Sequence, residues 1–158
     1  MVARKTLPEL SSTLVAPPEP ALLELDELWS LVLKKANKYW VWIALCRPTR
    51  QVVASATGDR SATTWPKLWE RIPAAFRTGH GGTDGWEAAQ KVLPDEQPTA
   101  GGKETGQTAH VERWNNTLRQ RRARFVRQTL SFSKSEARHE LCLRLFLHRD
   151  NLSLVSSD

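Results

Sequence analysis

Three acids stand where a divalent cation could be held. Asp26 lies midway along an apolar, strand-like stretch, and Asp84 directly precedes Gly85-Trp86. Glu112 opens a strongly basic helical segment, His110-Val111-Glu112-Arg113-Trp114-Asn115-Asn116-Thr117-Leu118-Arg119-Gln120-Arg121-Arg122. A carboxylate set against a row of arginines is either an ion pair or a metal ligand acting on an anion. With phosphate as the anion, the acids would hold Mg2+, the arginines would hold a nucleic-acid backbone, and the ion would sit between them. Mg2+ keeps its octahedron and is rarely caged by protein alone, so several carboxylates plus phosphate oxygens are the donor set it takes. Two such ions, about 3.5–4 Å apart, could activate a water or a 3′-hydroxyl and steady the leaving oxygen of an in-line displacement. Spacing alone does not single these three out of the 17 Asp and Glu residues. For Asp26, a water-facing place on an edge strand fits the pattern equally well.

The charge is local. The net charge of +6 is concentrated in Arg113, Arg119, Arg121, Arg122, Arg124 and Arg127, a stretch with no Asp or Glu. Such clustering favours a polyanionic partner over a merely solvated helix face. Cys46 and Cys142 lie far apart and outside any C-x-x-C pattern, so they read as reduced, buried thiols with no zinc-site spacing. No apolar run approaches a membrane span, and no hydrophobic stretch follows the first positive charges as in a signal peptide. The expectation is a cytoplasmic protein with no membrane partner.

The elements that must position these residues follow from periodicity. Residues 1–20 carry Pro8, Pro17, Pro18 and Pro20 and read as a proline-rich linker or tail. Leu22 to Leu33 alternates as a strand, with Leu23, Leu25, Trp29 and Leu31 on one side and Asp26 on the other, flanked by Glu24 and Leu28. Tyr39 to Cys46 and Gln51 to Thr57 are further strands, joined by Arg47-Pro48-Thr49-Arg50 into an antiparallel hairpin. Trp65, Leu68, Trp69 and Ile72 recur at helical spacing, with Ser61 as N-cap and Pro73 as terminator. That tryptophan stripe is core rather than a base-stacking surface. The glycine-rich approach to Asp84 does not look like a strand, Glu87 to Leu93 fits a short helix, and 94–103 reads as loop. A long helix is expected from about Thr108 to about Leu130, with Val111, Trp114, Leu118 and Phe125 as its apolar stripe. Glu112, Asn116 and Arg119 share a neighbouring face. A last helix is expected from Ser133, with Ser133-x-x-Glu136 as a capping box, and a polar tail from Asp150.

Several segments together carry a family likeness. They are Leu25-Asp26-Glu27-Leu28-Trp29-Ser30 with Lys34-Lys35, Gly58-Asp59-Arg60-Ser61, Thr83-Asp84-Gly85-Trp86, and Gly106 through Gln120. Leu130-Ser131-Phe132-Ser133-Lys134-Ser135 and His139-Glu140-Leu141 complete the set. Over roughly residues 22–150 the chain resembles transposases of the insertion-sequence-1 family, in their InsB-type catalytic part. The resemblance implies an α/β, ribonuclease-H-like fold: a mixed sheet of an antiparallel three-strand meander plus short further strands, flanked by helices, in one domain over 21–150. It implies a DDE triad of Asp26, Asp84 and Glu112, both catalytic and metal-binding, with Mg2+ or Mn2+ as cofactor. The implied activity is cleavage and transfer of DNA strands during transposition. His110 would orient a phosphate or a water, and Arg113, Asn116, Arg119 and Arg122 would contact the backbone of double-stranded DNA at element ends and target. The chain departs from the pattern at Gly79-His80-Gly81-Gly82, where the family is usually apolar, and at Cys46, where aspartate is common. The family's N-terminal zinc-binding and helix-turn-helix region is not found in these residues, which fits either the second reading frame of a two-frame element, with an N-terminal DNA-binding reading-frame partner, or a fragment. The resemblance also implies a homo-oligomer when active. A non-catalytic DNA-binding relative, and a ribonuclease-H-like nuclease that does not join ends, would use the same residues.

Overall fold

Alternation along Leu-Glu-Leu-Asp-Glu-Leu-Trp-Ser-Leu produces β1 (Leu23–Leu31), the strand on which both faces of the molecule are built. In the computed structural model, which describes residues 9–17, 21–33, 37–59, 63–77, 81–83, 109–126 and 132–156, β1 pairs antiparallel with β2 (Lys38–Cys46). β2 in turn pairs antiparallel with β3 (Val52–Gly58). This is the expected meander. A fourth strand, β4 (Gly81–Thr83), lies parallel to β1, and the sheet order is β3-β2-β1-β4. The glycine-rich segment before Asp84, read as unlike a strand, is therefore a short one. Glycine's low strand propensity is overridden by ladder hydrogen bonds to a central partner.

The sheet is covered on both sides, which is why β2 reads as an almost unbroken apolar run rather than an alternating one. One face packs Leu23, Leu25, Trp42 and Ala44 against Trp65 and Leu68 of α1 (Thr64–Arg71). Trp42 and Trp65 meet edge to face, 5.9 Å between ring centres. Ile72 turns to extended geometry ahead of Pro73, as the restriction on pre-proline residues requires. Ser61, expected as the cap, lies outside the described residues; the cap position belongs to Thr63, whose side chain makes no cap hydrogen bond.

The opposite face packs Leu28, Val41, Ile43 and Leu45 against α2 (Ala109–Arg121) and α3 (Glu136–Val155). Three expectations are corrected here. α2 ends at Arg121, well before Leu130: Arg122 is extended, and a 3-10 turn, Ala123–Phe125, delivers Phe125 to the core. Ending the helix there lets Phe125 reach the core, and helices hold chiefly by what they pack. The cap of α3 is Ser135, whose Oγ accepts from the Arg138 N–H, and not Ser133. Ser133 is instead buried, bridged to Val32. The residues read as a polar tail are the last turns of α3, where the buried Asn151 amide exchanges two hydrogen bonds with the backbone of Val52. Within the proline-rich stretch, Leu10–Thr13 forms a 3-10 turn, and the Thr13 carbonyl accepts from Gln51 Nε2 at 2.7 Å. Asp84 and the segments expected as a helix at 87–93 and a loop at 94–103 lie outside the described residues. Among the described residues no helix is long and apolar enough to cross a membrane.

Candidate active site

Glu24, Asp26, Leu28 and Ser30 alternate on the face of β1 that carries α2 and α3, and each finds its partner there. Glu24 is 1 % exposed and accepts four hydrogen bonds. Its Oε2 takes the backbone N–H groups of His110 and Val111, both at 2.9 Å. Its Oε1 takes Nδ1 of His110 at 2.6 Å and Nε of Arg47 at 2.7 Å. A carboxylate at the start of a helix satisfies N–H groups that have no intrahelical partner and meets the positive end of the helix dipole. Arg47 supplies the countercharge that makes burial of Glu24 tolerable. Because a carboxylate only accepts, His110 must carry its proton on Nδ1, which turns Nε2 away from Glu24.

Two residues further along β1, Asp26 is half-buried, and its Oδ2 accepts from Nδ2 of Asn115 at 2.7 Å. The spacings match. Two strand residues advance about 6.8 Å, and five helical residues, 110 to 115, rise about 7.5 Å. A helix running alongside β1 therefore meets Glu24 with its first turn and Asp26 one turn later. Glu112 lies between those contacts, three residues before Asn115, so the two side chains leave the helix as neighbours. Glu112 is exposed, as are Arg113 and Asn116, while Arg119 is half-buried. Arg122 is no longer on the helix; its guanidinium lies over the Phe146 ring, 5.5 Å from the centre.

The sheet also pairs β1 with β4, the last described strand before the remaining acid in the chain. Thr83, which precedes Asp84 in the chain, is paired in parallel register with Leu25, which precedes Asp26. Among the described residues no group of three His, Cys, Asp or Glu side chains is gathered. Asp26 and the helix bearing Glu112 are brought together, and Asp84 is outside the described residues.

Three residues of this region escaped sequence reasoning. Glu24 had a signal, since it shares the Asp26 face of an apolar strand, where a second acid must be compensated. Asn115 had one too, as a polar residue inside the stripe Val111, Trp114 and Leu118. Its Oδ1 is buried and has no hydrogen-bond partner among the described residues. His139, fully buried, stands between Ser30 Oγ on Nε2 and Ser133 Oγ on Nδ1, each at 2.7 Å, and ties β1 to α3. Burial, reinforced by the nearby positive Arg124, pushes its pKa down to about 4, so its ring is neutral at physiological pH.

The chain is similar to known proteins over most of its length. The profile of a family described as IS1 transposase matches residues 21–153. The insertion element iso-IS1n protein InsB of Shigella dysenteriae is 33% identical over 130 residues, covering 81% of this chain and 95% of the relative. The insertion element IS1 protein InsB of Shigella flexneri is 34% identical over 125 residues, covering 79% and 92%. An Escherichia coli K12 relative, insertion element IS1 4 protein InsB, is 29% identical over 147 residues, covering 92% and 86%.

Proposed function

The chain belongs to the IS1 transposase family, and from that premise we propose that it cuts and joins DNA strands through a DDE triad of Asp26, Asp84 and Glu112. The observation that carries this reading is the bond from Asn115 to Asp26, which sets the helix of Glu112 beside the strand of Asp26. The parallel pairing of Thr83 with Leu25 supports a place for Asp84 next to them. A mixed sheet with α1 on one face and α2 and α3 on the other supports a ribonuclease-H-like scaffold.

The residues present fit a divalent cation. Carboxylates are hard oxygen donors, and a buried amide oxygen with no described partner stands beside them. Mg2+ or Mn2+, when bound, would stabilise charge on the transferring phosphate and lower the pKa of the attacking hydroxyl. Asp26, Asp84 and Glu112 would hold the cation. His110, with Nδ1 committed to Glu24, would present Nε2 to a phosphate or a water. Arg113, Asn116, Arg119 and Arg122 would contact the DNA backbone, which positions the duplex without reading its sequence. Selection of element ends would fall to an N-terminal DNA-binding partner, and the active form would be a homo-oligomer.

The test is strand transfer on terminal-repeat DNA in Mg2+, together with the N-terminal partner. Asp26→Asn, Asp84→Asn and Glu112→Gln should each lower product at least about a hundredfold, since even outer partners of a metal contribute ten- to a hundredfold. Full activity in any one of them overturns the triad. Free nicks without joined ends would instead identify a nuclease.

A further inference from the structure

We propose that Asn115 belongs to the cation site: its amide N–H holds Asp26 in place, and its Oδ1 faces the hydration shell of the bound ion. The inference deepens the metal reading of Asp26 and rests on it.

The orientation of the amide is fixed by chemistry. Nδ2 must face Asp26 Oδ2, 2.7 Å away, because an amide oxygen there would meet the carboxylate acceptor to acceptor. The atom left over is then the acceptor, Oδ1, buried with no hydrogen-bond partner among the described residues, in a side chain 3 % exposed. Leaving a buried acceptor unsatisfied is destabilising, because the group loses its water without gaining a partner. Asn is also a poor helix former, and Leu, of similar size, would serve a purely structural position better. The first cost disappears if a strong donor arrives with the ligand, and the second is then the cost of keeping an amide at this position. Water on a divalent cation is such a donor, and an amide oxygen is among the hard ligands these ions accept directly.

Position supports the same conclusion. Asn115 follows Glu112 by one turn of α2. It is therefore the residue that links the strand carboxylate to the helix carboxylate.

Mn2+ binding to the full chain, followed by electron paramagnetic resonance of the free ion, tests this without any turnover. Asp26→Asn serves as the control for the site itself. Asn115→Leu should weaken Mn2+ about ten- to a hundredfold, the usual effect of losing an outer partner of a metal, with the circular dichroism spectrum unchanged. Should Asn115→Leu bind within twofold of the parent while Asp26→Asn loses the ion, the role of Asn115 is refuted and the metal site stands. Should Asp26→Asn bind like the parent, the metal reading fails, and the proposal with it. If Asn115→Leu does not fold, Asn115→Asp decides. Its carboxylate would repel Asp26 until a cation joins them, so Mn2+ should raise its Tm more than the parent's. An equal or smaller rise overturns the proposal.

Discussion

Glu24 holds the first turn of α2 through His110, accepting both its backbone N–H and its Nδ1. One buried carboxylate thus fixes where the helix of Glu112 begins relative to the strand of Asp26. Removing one partner of a buried, hydrogen-bonded charge leaves the others uncompensated, at a cost of about 3–5 kcal/mol. Glu24→Ala should lose stability of that order in urea denaturation, and Arg47→Met should lose less because Arg47 is partly exposed. A loss below about 1 kcal/mol for Glu24→Ala would contradict this role.

His139 makes stability depend on pH. Its folded pKa, about 4, lies below the ordinary 6.5 because the buried ring resists charging. As pH falls through 6.5 the unfolded chain takes up a proton that the folded chain refuses, so stability is lost from about pH 6.5 down to about pH 4. The loss approaches 1.4 kcal/mol per pH unit, about 3 kcal/mol in all. His139→Gln should flatten that segment of the stability profile. An unchanged slope in the variant would place the dependence elsewhere.

How much of this was legible in the sequence depended on the range of the interactions. The meander was legible because alternation in β1 and the aromatic, β-branched run of β2 are local signals. α1 was legible because its stripe and Pro73 lie within two turns. Glu24 was legible only as a second acid on an apolar strand; its partners were not, because His110 and Val111 are 86 and 87 residues away. The two serines before α3 look alike as caps. The bridge to Val32 and the buried ring of His139 draw Ser133 inward, and Ser135 is left to cap. α2 ends where Arg122 turns extended and Phe125 enters the core, which no periodicity in a run of arginines reveals.

Arg113 and Arg122 should separate in their effects on DNA. Arg113 is exposed on α2, and Arg113→Ala should weaken binding to all duplexes alike while lowering the salt slope by about 0.9, one phosphate contact. Arg122 also covers Phe146, so Arg122→Ala should in addition cost about 0.5–1 kcal/mol of stability. Fluorescence anisotropy from 50 to 200 mM salt, paired with thermal melts, reads both. An unchanged slope in Arg113→Ala would remove it from the DNA contact.

The central claim, that Asp26, Asp84 and Glu112 surround one divalent cation, has a direct chemical readout. With Fe2+ in place of Mg2+, ascorbate and peroxide generate hydroxyl radicals at the bound metal, and these cut the polypeptide nearby. The account predicts backbone cuts clustered around positions 26, 84 and 112, competed away by Mg2+ and lost together in Asp26→Asn. Cuts confined to one of these positions, located elsewhere, or persisting in Asp26→Asn would contradict it.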